Sequence, residues 1–261
     1  MNICIIYSPD WLKYIYIEIF ALIKTNSDVT NIYLISDAAG EPNSDFCSDL
    51  YFKYGIEVIF LDLEALYNDT IRTPSNIGRF TRYTLYRLLI PKVIPEDRIL
   101  YLDADTIVNG DLSEFYHQDI KNIDIVGVRD IGILDIQLQS IGKKHGDLYI
   151  NAGVLLMNLD QIREKNLSDT WIKLINTQPT SCYDQDIMNR TCNIKLASNI
   201  YNSSMSTGIP PVDQIKIAHY AGHLAEKGWC GIQSQMHTIW RKWEYEYVNS
   251  KNNTLLLAGE K

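Results

Sequence analysis

Ile3-Cys4-Ile5-Ile6-Tyr7 is an almost uninterrupted apolar run, and the segments on its C-terminal side decide the fold. Leu12, Ile15, Ile19 and Ile23 recur at helical spacing, and Ile32-Tyr33-Leu34-Ile35 is a second β-branched run. Phe46 to Tyr54 reads as another helix and Ile56 to Leu61 as a third strand. Strands alternating with helices in this way predict an α/β fold, a mostly parallel central sheet with helices on both faces. Such folds place their ligands in the crevice beyond the carboxyl ends of the strands.

Further along, Thr81 to Ile90 predicts a helix stopped by Pro91, after the polar stretch from Asp69 to Gly78. Arg98-Ile99-Leu100-Tyr101-Leu102 is a buried strand that runs directly into Asp103-Ala104-Asp105, so two carboxylates fall at a strand end. Ile123 to Val128 and Val154 to Met157 are further strands, and the weakly patterned Asp130 to Asp147 between them reads as a mobile loop over the site. Ser234 to Tyr247, with Trp240 and Trp243, predicts a closing helix. No repeat, low-complexity tract or linker divides the chain, so one domain over 1–261 is expected: about 1–160 as core and about 161–261 as acceptor side and closing segment.

Composition narrows the function. With 46% hydrophobic residues the 261-residue chain can bury a core, yet no apolar stretch approaches the roughly 18 residues of a membrane span. The first residues are apolar but lack a basic leader and a cleavage site, so they read as a strand and not as a signal peptide. Cys4, Cys47, Cys182, Cys192 and Cys230 are odd in number and form no CxxC pair, so neither a disulfide framework nor a zinc knuckle is implied, and a reducing cytoplasm fits. A formal charge of -8 without a basic tract argues against nucleic acid, and against more than peripheral contact with the inner face of a membrane. A phosphate-bearing substrate must then be gripped locally, which a divalent cation can do for an acidic protein.

Asp103 and Asp105 suit such a cation, magnesium or manganese, because both carboxylates can turn to one hard ion where strand alternation breaks down. An Asp-x-Asp pair is also common by chance; its place straight after an apolar strand favours the ligand site. His219, in Ile217-Ala218-His219-Tyr220-Ala221-Gly222, is the candidate third ligand. The downstream Lys227-Gly228-Trp229 supports it, since a lysine beside glycine can approach a diphosphate. His117, His145, His223 and His237 read as ordinary core or surface histidines.

Taken together these blocks resemble glycosyltransferase family 8, retaining sugar transferases that include bacterial lipopolysaccharide galactosyl- and glucosyltransferases and the glycogenins. The resemblance covers most of the chain. It runs from Tyr7-Ser8-Pro9-Asp10-Trp11 through Tyr86-Arg87-Leu88-Leu89-Ile90-Pro91 and Leu100-Tyr101-Leu102-Asp103-Ala104-Asp105. It continues in Tyr149-Ile150-Asn151-Ala152-Gly153-Val154-Leu155-Leu156-Met157-Asn158-Leu159, Asp184-Gln185-Asp186-Ile187-Met188-Asn189 and the His219 segment.

The resemblance implies a Rossmann-like nucleotide-binding domain of GT-A type with a small C-terminal helical part, and a UDP-hexose donor. It implies Asp103, Asp105 and His219 as manganese ligands and Gly222 and Lys227 as the diphosphate grip. Arg87, Asn151, Asp184 and Gln185 would surround the donor sugar, and Tyr7, Ser8 and Asp10 would line the uridine pocket, with Ala104 also counted among the donor contacts. Plainer readings stand beside these: Arg87 as a helix cap, Asn151-Ala152-Gly153 as a turn, Asp184 and Asp186 as N-terminal helix charges. The chain departs from the family pattern at Ser8-Pro9, where paired acids are usual, near Arg79, where a histidine is usual, and in a longer His219 to Lys227 segment with Gly228 in place of proline. It ends soon after Trp243, without the basic and aromatic tail that anchors some relatives.

The expected activity is metal-dependent, retaining transfer of galactose or glucose from a UDP-sugar to a saccharide, glycolipid or glycoprotein. A sugar-nucleotide-binding protein without turnover and a nucleotidyltransferase are the alternatives. A dinucleotide-dependent oxidoreductase is disfavoured because no GxGxxG comes after the first strand.

Overall fold

The computed structural model describes the backbone of residues 1–72, 81–178, 180–222, 227–230 and 234–258, and side chains as far as residue 251. Expectations placed on Arg79 and His223 fall outside the described residues, as does part of the Asp69 to Gly78 stretch.

The strands are β1 (Asn2–Ile6), β2 (Asn31–Ser36), β3 (Glu57–Asp62), β4 (Arg98–Asp103), β5 (Thr106–Val108), β6 (Ile125–Arg129), β7 (Ile150–Asn158), β8 (Ile194–Ala197) and β9 (Ile217–His219). Seven of them form one sheet in the order β3-β2-β1-β4-β7-β6-β8, and β5 pairs with β9 in a separate ribbon. The pairs β3–β2, β2–β1, β1–β4 and β6–β8 are parallel. β7 runs antiparallel to both β4 and β6. Its first residues therefore lie at the same edge of the sheet as the carboxyl ends of β1 and β4, which brings Asn151 towards Asp103.

The helices are α1 (Leu12–Thr25), α2 (Ser44–Tyr54), α3 (Glu64–Thr70), α4 (Arg82–Tyr86), α5 (Ile90–Val93), α6 (Ser113–His117), α7 (Asp135–Ser140), α8 (Leu159–Glu164), α9 (Leu167–Thr177), α10 (Tyr183–Thr191) and α11 (Gln235–Ala258). Alternation along the strands sends side chains to opposite faces, and each face has its own core. Cys4, Ile6, Tyr101, Leu155 and Met157 pack with Trp171 and Ile175 of α9 and Ile187 and Met188 of α10. Ile3, Ile5, Leu100, Leu102, Val154 and Leu156 pack with Ile15, Ile19 and Leu22 of α1 and Phe115 of α6. The other side of α1 offers Ile17 and Ala21 to a third cluster containing Trp240 and Trp243 of α11. No helix among the described residues is long and apolar enough to cross a membrane.

Two local expectations change. The helix expected from Thr81 to Ile90 is broken into α4, a 3-10 turn over Arg87–Leu89, and α5. Pro91 does not stop it. It sits in the first turn of α5, where its missing N–H removes no helical hydrogen bond. The stretch from Asp130 to Asp147 is not loop throughout, since it contains α7.

Candidate active site

Beyond the carboxyl ends of β1 and β4 lies a cleft of about 750 Å³. Twelve of the thirteen expected site residues line it: Tyr7, Ser8, Arg87, Asp103, Ala104, Asp105, Asn151, Asp184, Gln185, His219, Gly222 and Lys227. Asp10 does not. The short 3-10 turn after β1, Pro9–Trp11, leaves Asp10 exposed and sends Trp11 into the lining instead.

Asp103 ends β4, and Asp105 precedes β5 across a tight turn. His219 comes from β9, directly paired with Thr106, and Tyr220 N donates to Asp105 O at 2.9 Å. The ribbon thus draws a residue 114 positions away along the chain to the aspartates. His219 Nε2 lies 3.3 Å from Asp105 Oδ1 and 3.6 Å from Asp103 Oδ2. Among the described residues these three form the one cluster whose ligand atoms all lie within 4.8 Å of one another.

The donor set of two carboxylates and one imidazole fits magnesium or manganese. Room for it depends on Gly153, where a Cβ would come within 2.1 Å of His219 Cε1 and 2.8 Å of Asp103 Oδ2. The imidazole is also oriented: its Nδ1 lies 2.9 Å from Asn202 Oδ1. With Nδ1–H donating there, Nε2 is left free to ligate.

The electrostatics are tightly balanced. Burial works against the charged Asp105 carboxylate, but His219 and Lys227 outweigh it and hold its pKa well below the ordinary range. Burial disfavours imidazolium at His219, yet Asp105 and Asp103 raise its pKa above the usual value. Lys227 Nζ donates to Asp105 Oδ2 and to Tyr220 O. Gly222, at φ 129°, holds a backbone conformation that side-chain-bearing residues rarely adopt, five positions before that lysine.

Arg87, almost fully buried, ties two elements together. Its Nη1 donates to Asp184 Oδ2 at 2.6 Å, and its Nη2 to Asp103 and to Tyr101 OH. Arg87 does hold the C-cap position of α4, but its side chain reaches past the helix to the two aspartates. Burial raises the Asp184 pKa to about 6, against the pull of Arg87 and with the repulsion of Asp103. Tyr183, at φ 42°, carries backbone strain at the start of α10, where the chain turns Asp184 and Gln185 towards the cleft.

Asp130 and Trp11 in the cleft lining, and Asn202 behind it, are site residues that the sequence reading did not single out. Asp130, at the end of β6, accepts from Asn151 Nδ2 and Gln185 Nε2, each at 3.3 Å. Burial raises its pKa, although both amides and the Gly132 N–H favour the anion. Asn202 donates to Asn151 Oδ1 at 2.9 Å, so a continuous amide chain links His219, Asn202, Asn151, Asp130 and Gln185. Trp11 is the third. The strand-end rule that singled out Asp103 applied equally to Asp130 and could have found it; nothing local marks Asn202.

The chain resembles known proteins over most of its length. It is 30% identical over 209 residues to a Haemophilus influenzae protein carrying a provisional glycosyltransferase name, covering 76% of this chain and 62% of that one. It is 27% identical over 146 residues to the lipopolysaccharide 1,3-galactosyltransferase of Salmonella typhimurium, covering 51% and 41%. The chain thus spans about three fifths of the first relative's length. The crystal structure of the galactosyltransferase LgtC with donor and acceptor sugar analogs superimposes with a TM-score of 0.70 at 20% identity, over 93% of this chain and 96% of that one. This likeness shows a shared GT-A fold. The family model for glycosyl transferase family 8 matches residues 2–233, and with nearly the whole chain matched, this chain belongs to that family.

Proposed function

We propose that the chain is a metal-dependent, retaining hexosyltransferase that moves galactose or glucose from a UDP-sugar to a saccharide-bearing acceptor. The observation that carries this reading is the meeting of Asp103, Asp105 and His219 on the floor of a cleft also lined by Arg87, Asn151, Asp184 and Gln185. The family and the named relatives support sugar transfer, and the donor set supports a hard divalent cation.

In this reading Asp103, Asp105 and His219 hold manganese or magnesium, which supplies Lewis-acid neutralisation of charge on the departing nucleotide diphosphate. Lys227 brings a further positive charge to the same side, and Gly222 lets backbone approach the phosphates. Tyr7, Ser8 and Ala104 border the nucleotide end, where Trp11 adds an aromatic face. Asn151, Asp184 and Gln185 orient the hexose. Gln185 is an amide and a poor nucleophile, so the acceptor hydroxyl attacks from the face the diphosphate leaves. The C1–O bond to the diphosphate breaks, the C1–O bond to the acceptor forms, and the acceptor proton passes to a leaving phosphate oxygen. The first 160 or so residues form the nucleotide-sugar core of one domain working in the cytoplasm, and the remainder supplies the acceptor side and closing segment while lending Asp184, Gln185, His219, Gly222 and Lys227 to the donor site.

A panel of UDP- and GDP-sugars, scored for nucleotide release with and without manganese, tests this directly. Asp105→Asn is expected to slow release by about a thousandfold, since a metal term is worth roughly 4 kcal/mol. Near-normal release by that variant would remove the proposal, and tight donor binding without turnover on any acceptor would favour a binding protein.

A further inference from the structure

The amide of Gln185 is held by the protein at both of its polar atoms. Its Oε1 accepts from Ala152 N at 3.0 Å, and its Nε2 donates to Asp130 Oδ2 at 3.3 Å and to Tyr149 OH at 3.1 Å. Nε2 carries two hydrogens, so both are taken, and what remains for the cleft is the second lone pair of Oε1. Gln185 is half-buried and lines the cleft, whereas Tyr149 is 1% exposed and takes no part in the lining.

The direction of these hydrogen bonds is set from behind the cleft. Tyr149 OH donates to Asp186 Oδ1 at 2.7 Å, and Asp186 Oδ2 accepts from Cys182 N at 2.8 Å, so this completely buried side chain meets a donor at each oxygen. A phenol has one proton to give. With that proton committed to Asp186, the Tyr149 oxygen accepts only, and it takes the amino end of the Gln185 amide. Burial, and after it the neighbouring Asp186, raise the Tyr149 pKa, so the proton stays on the phenol. Were the amide turned over, its oxygen would face the Tyr149 oxygen and the Asp130 carboxylate, and its amino group would face the Ala152 N–H. The phenol itself is fixed: its ring packs with Leu138 of α7 and with Ile141, and the Tyr149 carbonyl accepts from Asp130 N at 3.0 Å.

We propose that Tyr149 is a positioning residue for sugar transfer: its oxygen holds the Gln185 amide in the one orientation that offers the hexose an acceptor and no donor. The inference rests on the transferase reading above and deepens it, because a hexose hydroxyl that meets Gln185 does so by giving its proton. Tyr149 touches no substrate and acts through Gln185 alone.

Side-chain NMR of the full chain labelled with 15N-glutamine tests the geometry, the Gln185 signals being those absent from Gln185→Ala. Both Gln185 Nε2 protons should exchange with solvent about tenfold or more slowly than those of exposed glutamines, and Tyr149→Phe should shift one of them and speed the exchange of both. Exchange in the parent as fast as in exposed glutamines would overturn the proposal, whether or not the variant folds. A double-mutant cycle tests the role, with UDP release from the UDP-hexose that the parent turns over. Tyr149→Phe should lower kcat about tenfold while the donor KM changes by less than about twofold. In the Gln185→Ala background the same substitution should cost less than about twofold more. A full tenfold loss on top of Gln185→Ala would mean that Tyr149 acts on the structure at large, and would sink the proposal. A parent that releases no UDP from any UDP-sugar overturns the transferase reading, and protected Gln185 protons in that same protein show that the Tyr149 geometry outlives it.

Discussion

Asn202 is a neutral amide with no chemistry of its own, yet it fixes the tautomer of the imidazole beside the aspartate pair. Removing such an outer hydrogen bond commonly weakens metal binding ten- to a hundredfold. Asn202→Ala is therefore expected to raise the manganese dissociation constant by about tenfold or more, read by calorimetry with manganese chloride; an unchanged constant would mean the imidazole needs no such guide. Asp184 provides a pH test. Its carboxyl is held up to about 6, so it is protonated below that pH and ionised above it. If the hexose is oriented by the carboxylate, kcat/KM should climb as pH rises through about 6, and Asp184→Asn should lose that limb. Asp103, Asp105 and His219 were legible because a carboxylate pair after an apolar strand and a histidine in an apolar run are local signals. Asn202 and Trp11 were not, because their roles come from contacts that only the assembled chain creates.

At the level of elements, β1 to β4 were readable from their β-branched runs, whereas α4 and α5 were misjudged because a proline tolerated in a first turn looks like a stop. α1 holds a less visible feature. Glu18 is completely buried among apolar residues of that helix, and its carboxyl meets Thr106 Oγ1. The same hydroxyl lies 2.9 Å from Asp103 O and has one proton to give, so a neutral Glu18 donating to Thr106 satisfies both contacts. Burial, with Asp105 and Asp103 nearby, raises its pKa well above the usual value. A raised folded pKa means that the contribution is fully present below the ordinary glutamate pKa and is lost as pH rises through the folded value. Glu18→Gln keeps a donor at that position and carries no such loss. Its melting temperature should exceed the parent's by several degrees at pH 8, with the gap closing towards pH 4; a constant gap would refute the neutral carboxyl.

Across the whole molecule, α11 links stability to the site. Trp240 is fully buried beside Tyr14, Tyr220 and Trp229. Tyr220 OH donates to Met236 O at 2.7 Å, and His237 Nε2 lies 3.2 Å from Lys227 O. Trp240→Ala should cost about 3–5 kcal/mol in urea unfolding. It should also raise the KM for the nucleotide donor, because the Lys227 segment loses its backing; a stability loss with unchanged KM would confine α11 to a structural part.

The β5–β9 ribbon also has a consequence for biosynthesis. On a ribosome the acidic pair is made first, and the imidazole that completes the trio is added only after β6, β7 and β8 have been synthesised. A nascent polypeptide halted at residue 200 should therefore retain no tight grip on manganese, because two carboxylates alone lack the third ligand.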